Sequence, residues 1–148
     1  MIMERRRALL AGGKKTVYIY KPGATSWQNI GGSSVSGSIR TSFGSENVTL
    51  TGESTYNRLN LLIPESVYGN CKKLVFKAKV SKNDSNLKIC WSKSADYTGD
   101  SNGSKVCNIG TSEKEFSIDV SADSGNRFIV MNVYYSNTVL TIYDIHFE

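Results

Sequence analysis

The sequence predicts an all-β protein folded as a two-sheet antiparallel β-sandwich of the jelly-roll type. Three observations predict it. Short apolar runs that alternate at period two recur between clusters of Gly, Ser, Asn and Asp. No long stretch carries the periodicity of an amphipathic helix. The chain also ends in an alternating run, from Thr138 to Glu148, whose apolar side chains must be buried in a sheet because an exposed edge of this kind aggregates.

Length and composition set the domain organisation. A chain of 148 residues suits one domain, since a domain of this size buries about two thirds of the surface that its unfolded chain exposes. Hydrophobic residues make up 39% and charged residues 21% of the chain, and much of the remainder is Ser, Thr, Asn and Gly, which favour turns and solvated strand faces. We predict a basic N-terminal arm over residues 1–14 and a single sandwich domain over residues 15–148.

The arm is the most basic part of the chain. Residues 1–15 hold five basic residues and one acidic residue, so they carry most of the net charge of +5. We expect Met3 to Leu10 to form a short helix that Gly12 ends. The apolar run after the arginines is too short for the core of a secretory signal, which predicts cytoplasmic synthesis. No stretch approaches the roughly 18 apolar residues of a membrane span, and no aromatic-and-basic motif follows the arm, so nucleic acid is not expected as a partner.

Strand signals follow the arm at the regular spacing of a sandwich. The predicted strands lie within Thr16 to Lys21, Ser45 to Gly52, Tyr56 to Ile63, Lys72 to Ser81, Asn86 to Lys93, Lys105 to Ile109, Glu113 to Val120, Asn126 to Tyr135 and Thr138 to Glu148. Residues 23–38 are rich in Gly and Ser, and they are predicted to form a long connection.

Two of these strands have a predicted orientation. In the strand within Lys72 to Ser81, period two places the side chains of Leu74, Phe76, Ala78 and Val80 inward and those of Lys73, Lys77 and Lys79 in solvent. In the closing strand, the same period places Val139, Thr141, Tyr143, Ile145 and Phe147 on one face and the alternate residues on the other.

The sequence contains no signature of an enzyme. It has three cysteines, Cys71, Cys90 and Cys107, without a CxxC pair, and its one histidine is His146, so a zinc site is not expected. We expect the thiols to pack as small apolar groups without an obligatory disulfide. No GxSxG, HExxH or P-loop pattern is present, and we predict a non-catalytic protein.

Sugar binding requires exposed aromatic faces beside short polar side chains, because a pyranose has apolar C–H faces and a rim of hydroxyls. The candidate ligand-binding residues are Trp27, Trp91, Tyr97, Asp100, Asn102 and Tyr135. Trp91 has an alternative interpretation as a core residue, because it is in phase with Leu87 and Ile89.

The strands Lys73 to Val80 and Glu115 to Val120, followed by the closing run Ile142-Tyr143-Asp144-Ile145, resemble the second half of galactose-binding-like jelly rolls and related carbohydrate-binding modules. The resemblance covers residues 45–148. It implies a non-catalytic module that stacks aromatic rings on the sugars of a glycan or cell-surface polysaccharide.

The same resemblance implies a structural calcium ion near the first and last strands. Asp144 matches the acidic position of the terminal strand, whereas residues 14–22 contain no carboxylate. Asp96, Asp100 and Asn102, before Gly103, are also similar to an oxygen-rich calcium loop. Turn formation explains these loop residues without an ion. No other cofactor is expected.

A second resemblance concerns the opening ERRRALLAGG, which is similar to the N-termini of prophage-encoded proteins that precede β-rich tail or baseplate appendages. It implies an alternative function as a structural or adhesive component of such an appendage, associated with a virion or extracellular after lysis. A glycan binder is expected to work as a monomer. A virion component is expected to form a homo-oligomer, a trimer around the N-terminal arm.

Overall fold

The computed structural model describes residues 15–96, 98 and 104–148, and the predicted basic arm, residues 1–14, lies outside them. The described part contains these elements in chain order: Val17–Tyr20 (β1), Gly32–Ser36 (β2), Ile39–Phe43 (β3), Val48–Gly52 (β4), Asn57–Ile63 (β5), Glu65–Tyr68 (α1), Lys73–Val80 (β6), Leu87–Ser92 (β7), Lys105–Asn108 (β8), Lys114–Asp119 (β9), Arg127–Val133 (β10) and Val139–Phe147 (β11). No helix among them is long and apolar enough to cross a membrane.

The strands form two antiparallel sheets that pack face to face, which confirms the predicted β-sandwich. The six-stranded sheet has the order β3-β4-β11-β6-β9, and β1 also pairs with β11. The five-stranded sheet has the order β2-β5-β10-β7-β8. The closing strand β11 pairs with β6 on one side and with β4 and then β1 on the other. It has no free edge, as its apolar sequence predicts.

The prediction of a single connection over residues 23–38 was wrong in its second half. Residues Gly32–Ser36 form β2, which pairs with β5, and Ile39–Phe43 form β3, which pairs with β4. Both are edge strands with few apolar residues, so their sequences lack the period-two signal. These residues have little tendency of their own to form strands. They become strands because each segment pairs with an apolar neighbouring strand.

The faces predicted for the closing strand are correct only for its second half. Leu140 and Ile142 are buried, and so are Ile145 and Phe147, although the two pairs differ in phase. The register between β11 and β6 shifts between Ile142 and Asp144. A β-bulge adds one residue to a strand and reverses the face of every residue beyond it. In β6, by contrast, the predicted alternation of buried apolar residues and lysines is confirmed.

An aromatic cluster joins the two sheets at one end of the core. Trp91 of the five-stranded sheet packs against Tyr68 of α1 and Phe147 of the six-stranded sheet, with ring centroids 5.0 and 5.5 Å away. All three side chains are fully buried. The Trp91 indole N–H donates to the Asp123 carboxylate at 2.7 Å, so its polar atom is satisfied within the core.

Gly52 provides a test of this packing at the opposite end of the sandwich. A Cβ atom at Gly52 would lie against the Tyr135 carbonyl oxygen and 2.7 Å from Nδ2 of Asn57. We expect Gly52→Ala to lower the free energy of unfolding by about 1–3 kcal/mol, because backbone atoms cannot yield to the added methyl group. Urea titration followed by tryptophan fluorescence measures this change.

The matched control is Gly110→Ala, since a Cβ there has only ordinary contact, 3.8 Å from Asn83 Oδ1. If the two variants unfold at the same urea concentration, the packing around Gly52 is not as tight as described.

Candidate functional site

The pleat of the five-stranded sheet directs one set of side chains away from the core. We call this surface the outer face. Leu59, Leu61, Ile89, Ile129 and Met131 point into the core cluster, so the alternate residues point outward. By strand register, the outer face consists of Arg58, Asn60, Leu62, Lys88, Cys90, Ser92, Phe128, Val130 and Asn132.

Two tyrosines lie just beyond the ends of β5 and β10, and one of them, Tyr134, is half-buried against the core cluster. The backbone N–H of Tyr56 donates to the Tyr134 carbonyl oxygen at 2.6 Å, which continues the strand pairing. Their rings meet edge to face, with centroids 4.6 Å apart, and Tyr134 makes a second edge contact with Tyr135 at 4.9 Å. We call Tyr56, Tyr134 and Tyr135 the tyrosine cluster.

Tyr56 is the most accessible ring of this cluster. It is 56% exposed, and its backbone has a φ of 62°, in the left-handed region that a bulky residue rarely adopts. Burial and the hydrogen bond with Tyr56 raise the pKa of Tyr134, so this phenol stays neutral and is able both to donate and to accept a hydrogen bond. The cluster therefore combines an open aromatic ring with a polar rim.

Tyr135, a predicted ligand-binding residue, belongs to the cluster but has other partners. Its hydroxyl accepts a hydrogen bond from Nδ2 of Asn86 at 3.2 Å. The ammonium group of Lys82 lies 4.2 Å from its ring centroid, in a cation–π contact. One face of this ring is thus occupied within the protein.

Two described residues of the connection between β7 and β8, Asp96 and Thr98, contact the middle of the outer face. Cys90 and Val130 are fully buried, yet they point away from the core. Asn60 is also buried, and it exchanges two hydrogen bonds with Asp96 of the connection, each 2.8 Å long. The hydroxyl of Ser36 donates to the same Asp96 carboxylate at 2.7 Å. These contacts attach the connection to β2 and β5.

At the end opposite the tyrosine cluster, the outer face holds a shallow depression of about 250 Å³. It is lined by Gly32, Ser33, Ser34, Asn60, Leu62 and Phe128. Its floor is apolar and its rim carries hydroxyl and amide groups, a combination suited to one sugar ring.

The two predicted tryptophans do not lie on the outer face. Trp27 is half-buried and packs edge to face against Tyr20 and Phe43, with centroids 6.2 and 5.2 Å away. Trp91 is fully buried in the core, as its alternative interpretation has it. Tyr97, Asp100 and Asn102 lie outside the described residues, and their roles in binding stay predictions.

Sequence reasoning missed Tyr56 and Tyr134. Tyr134 continues the alternation of Phe128, Val130 and Asn132 along β10, and this period-two phase is a signal that could have identified it. Tyr56 carries no such signal, because its position on the same face depends on the pairing of β5 with β10.

Asp144, the candidate calcium ligand, has a histidine as its partner. Nδ1 of His146 bonds to the Asp144 carboxylate, and Nε2 lies 3.0 Å from the Glu148 carboxylate. The Tyr18 ring packs against the imidazole at 5.4 Å. Within the described residues, no three His, Cys, Asp or Glu side chains converge as a metal site.

The three cysteines are free thiols. Cys71 and Cys90 are buried, and Cys107 is half-buried. Burial raises the pKa of Cys90 to about 11, so its thiolate is scarce at neutral pH.

Comparison with solved structures shows the same fold in carbohydrate-binding modules of family 29. One such module aligns with a TM-score of 0.64 at 13% identity, over 90% of this chain and 87% of its own. A family 29 module from Piromyces equi aligns with a TM-score of 0.60 at 16% identity, over 90% of this chain and 89% of its own.

A family 29 variant complexed with cellulohexaose aligns with a TM-score of 0.64 at 12% identity, over 90% of this chain and 89% of its own. Another variant, complexed with mannohexaose, has the same TM-score and identity, and 90% of each chain is covered. No protein-family model matches the sequence, and no curated protein matches it significantly. The likeness in fold agrees with the jelly-roll resemblance of the sequence.

The prophage origin and the tail-appendage alternative find no support in these comparisons. The trimer expected around the N-terminal arm concerns residues outside the described part of the chain, so it stays a prediction.

The contacts of His146 predict a pH-dependent stability. Burial alone would lower the pKa of His146, but the hydrogen bonds and charges of Asp144 and Glu148 outweigh it, and the pKa is raised. The protonated imidazole therefore stabilises the folded state fully below its unfolded pKa of about 6.5. This contribution is lost as pH rises through the higher folded pKa.

We expect the free energy of unfolding to fall as the pH rises above about 6.5, and His146→Gln to remove most of this decrease. Urea titrations of both proteins across this range measure it. Equal pH slopes in the two proteins would contradict the assignment to His146, the chain's one histidine.

Proposed function

We propose that the protein is a non-catalytic carbohydrate-binding module that binds a polysaccharide on the outer face of its five-stranded sheet. The observation that carries the proposal is the exposed Tyr56 ring, held by Tyr134 at the end of this face. Arg58 and Asn132 form the adjacent row of the face. The shared fold with family 29 modules supports the proposal.

The chemistry of these groups fits a sugar. The apolar C–H face of a pyranose packs on an aromatic ring, and its hydroxyls require donors and acceptors nearby. The edge contact of Tyr134 restrains the Tyr56 ring before a ligand arrives, which lowers the entropic cost of binding.

Linear hexasaccharides are the first ligands to test. Two structurally similar modules are described as complexed with cellulohexaose and with mannohexaose. The outer face offers contact regions at both ends, the tyrosine cluster and the depression at Leu62 and Phe128. A linear ligand of several sugars is therefore a better match to this face than a monosaccharide.

A non-catalytic role is supported by the partners of the groups that enzymes use. His146 is held between two carboxylates on the other sheet. The Cys90 thiol, which does lie on the outer face, is buried and has a raised pKa. Neither group is positioned as a general base or nucleophile for a ligand on the outer face.

Isothermal titration calorimetry with cellulohexaose and mannohexaose tests the proposal. We expect Tyr56→Ala and Tyr134→Ala each to weaken binding about tenfold or more, a loss of about 1.4 kcal/mol or greater, because aromatic side chains supply much of the binding energy of interfaces. Tyr143→Ala is the matched control, because Tyr143 lies on β11 of the other sheet.

Urea titration of each variant separates loss of binding from loss of folding. The proposal fails if the protein binds neither hexasaccharide and no member of a broader glycan array. It also fails if a glycan binds and both tyrosine variants retain the wild-type affinity.

A further inference from the structure

We propose that Asp96 is an internal occupant of a central sugar subsite on the outer face, formed by Asn60 and Ser36, and that an oligosaccharide must displace it to bind along the whole face. This inference rests on the proposed function and adds a specific binding position and a competing group. It concerns the described contacts of Asp96 with the sheet.

The central subsite lies beside a row of outer-face residues that solvent does not reach in the free protein. Cys90, Val130 and Asn60 form one row across three neighbouring strands, and all three are buried. Neither Cys90 nor Val130 belongs to the core cluster between the sheets. Two described residues of the β7–β8 connection contact this row: Asp96 binds Asn60, and the Thr98 carbonyl oxygen accepts from the Cys90 thiol at 3.9 Å.

The hydrogen bonds of Asp96 are those that a sugar diol would make. Asn60 donates from Nδ2 to the Asp96 carboxylate and accepts at Oδ1 from the Asp96 backbone N–H. Ser36 donates its hydroxyl to the same carboxylate oxygen. A pair of adjacent sugar hydroxyls both donates and accepts, so it satisfies the same amide and hydroxyl groups. The subsite is therefore prepared for a polar ligand and is filled by the protein's own chain.

The position of this subsite makes Asp96 an obstacle to a long ligand. The open tyrosine cluster lies at one end of the outer face and the depression at the other, and Asn60 lines the depression. From Tyr56 to Leu62 an extended strand spans roughly 20 Å. A linear oligosaccharide that contacts both ends passes over Asn60 and Ser36, where Asp96 is bound.

Asp96 is held on the sheet by polar hydrogen bonds at the surface. A polar ligand that offers the same hydrogen bonds is able to replace it. Asp96 lies at the surface, and its backbone has a φ of 60°, a left-handed conformation that Asp adopts more readily than most residues. The hydrogen bonds from Asn60 and Ser36 lower the pKa of its carboxyl, so the competing group is an anion at neutral pH.

The test compares Asp96→Ala with the wild type by calorimetry against cellulohexaose and mannohexaose. We expect Asp96→Ala to bind the hexasaccharide about tenfold more tightly, and a disaccharide of the same series with unchanged affinity, because a short ligand does not have to cross the central subsite. Asp96→Asn, which tolerates the same backbone conformation, is the second variant and should lie between the two.

The matched control is Asp119→Ala on β9 of the other sheet. Like the Asp96 carboxylate, its carboxylate accepts two hydrogen bonds, here from the hydroxyl and the backbone N–H of Ser121. This control removes a similar set of hydrogen bonds without touching the outer face, and we expect it to leave the affinity unchanged.

A second measurement follows the accessibility of the Cys90 thiol and needs no ligand. Alkylation of Cys90 by iodoacetamide, quantified by mass spectrometry of peptides, should be several times faster in Asp96→Ala than in the wild type. Cys71, buried away from the outer face beside Lys15, is the internal reference.

Tighter hexasaccharide binding together with faster Cys90 alkylation supports the inference. If the wild type binds and Asp96→Ala binds equally or more weakly, the inference is overturned and the proposed function stands. An unchanged rate of Cys90 alkylation overturns the inference as well, because Asp96 then does not limit access to the centre of the outer face. If neither protein binds any glycan, the proposed function itself fails and this inference fails with it.

Discussion

The hydrogen bond from the Trp91 indole to Asp123 is the interaction on which the orientation of the five-stranded sheet depends. Asp123 also pairs with Arg127 at 3.6 Å, and both side chains are largely buried, at 14% and 7% exposure. Removing one member of such a group leaves an unpaired buried charge, which costs about 3–5 kcal/mol. Because Trp91 points inward between Tyr68 and Phe147, it determines which residues of β7 face the core and which face outward. Cys90 and Ser92 must then face outward, and the register with β10 directs Val130 and Asn132 the same way.

The candidate binding face is therefore a consequence of core packing. A slip of one residue in β10 would bring Ile129 and Met131 to the surface and Asn132 into the core, so the register is strongly specified. Tyr134 directly follows β10, so this register fixes its position at the end of the sheet, and the backbone hydrogen bond from Tyr56 places Tyr56 beside it. The apolar interior thus positions the aromatic rings that we propose contact a sugar.

The strands that could be predicted from the sequence are those in which apolar and polar residues alternate against solvent. Lys73–Val80 has this pattern, and its buried and exposed faces follow it. This alternation is missing from β2 and β3, which are polar edge strands. It also does not reveal the bulge before Asp144, because the bulge depends on how β11 pairs with β6. The candidate site was harder to predict, because a tryptophan such as Trp91 has the same local sequence whether it lies in a core or on a platform. Tyr56 gains its position from a long-range pairing.

The sequence of β10 is informative about how the outer face is used. Its run RFIVMNV is nearly continuous in apolar residues, which is typical of a strand buried on both faces. A permanently open platform for a polar ligand would not require Val130 and Cys90 at its centre. These side chains suit a covered surface, and Asp96 and Thr98 of the β7–β8 connection contact Asn60 and Cys90 of this row. In the proposed complex, the apolar face of a sugar ring would pack on this floor and its hydroxyls would replace the hydrogen bonds of Asp96 to Asn60 and Ser36. We propose that the same small floor accepts either the protein's own chain or a glycan, because both offer hydrogen-bond partners to Asn60 and Ser36.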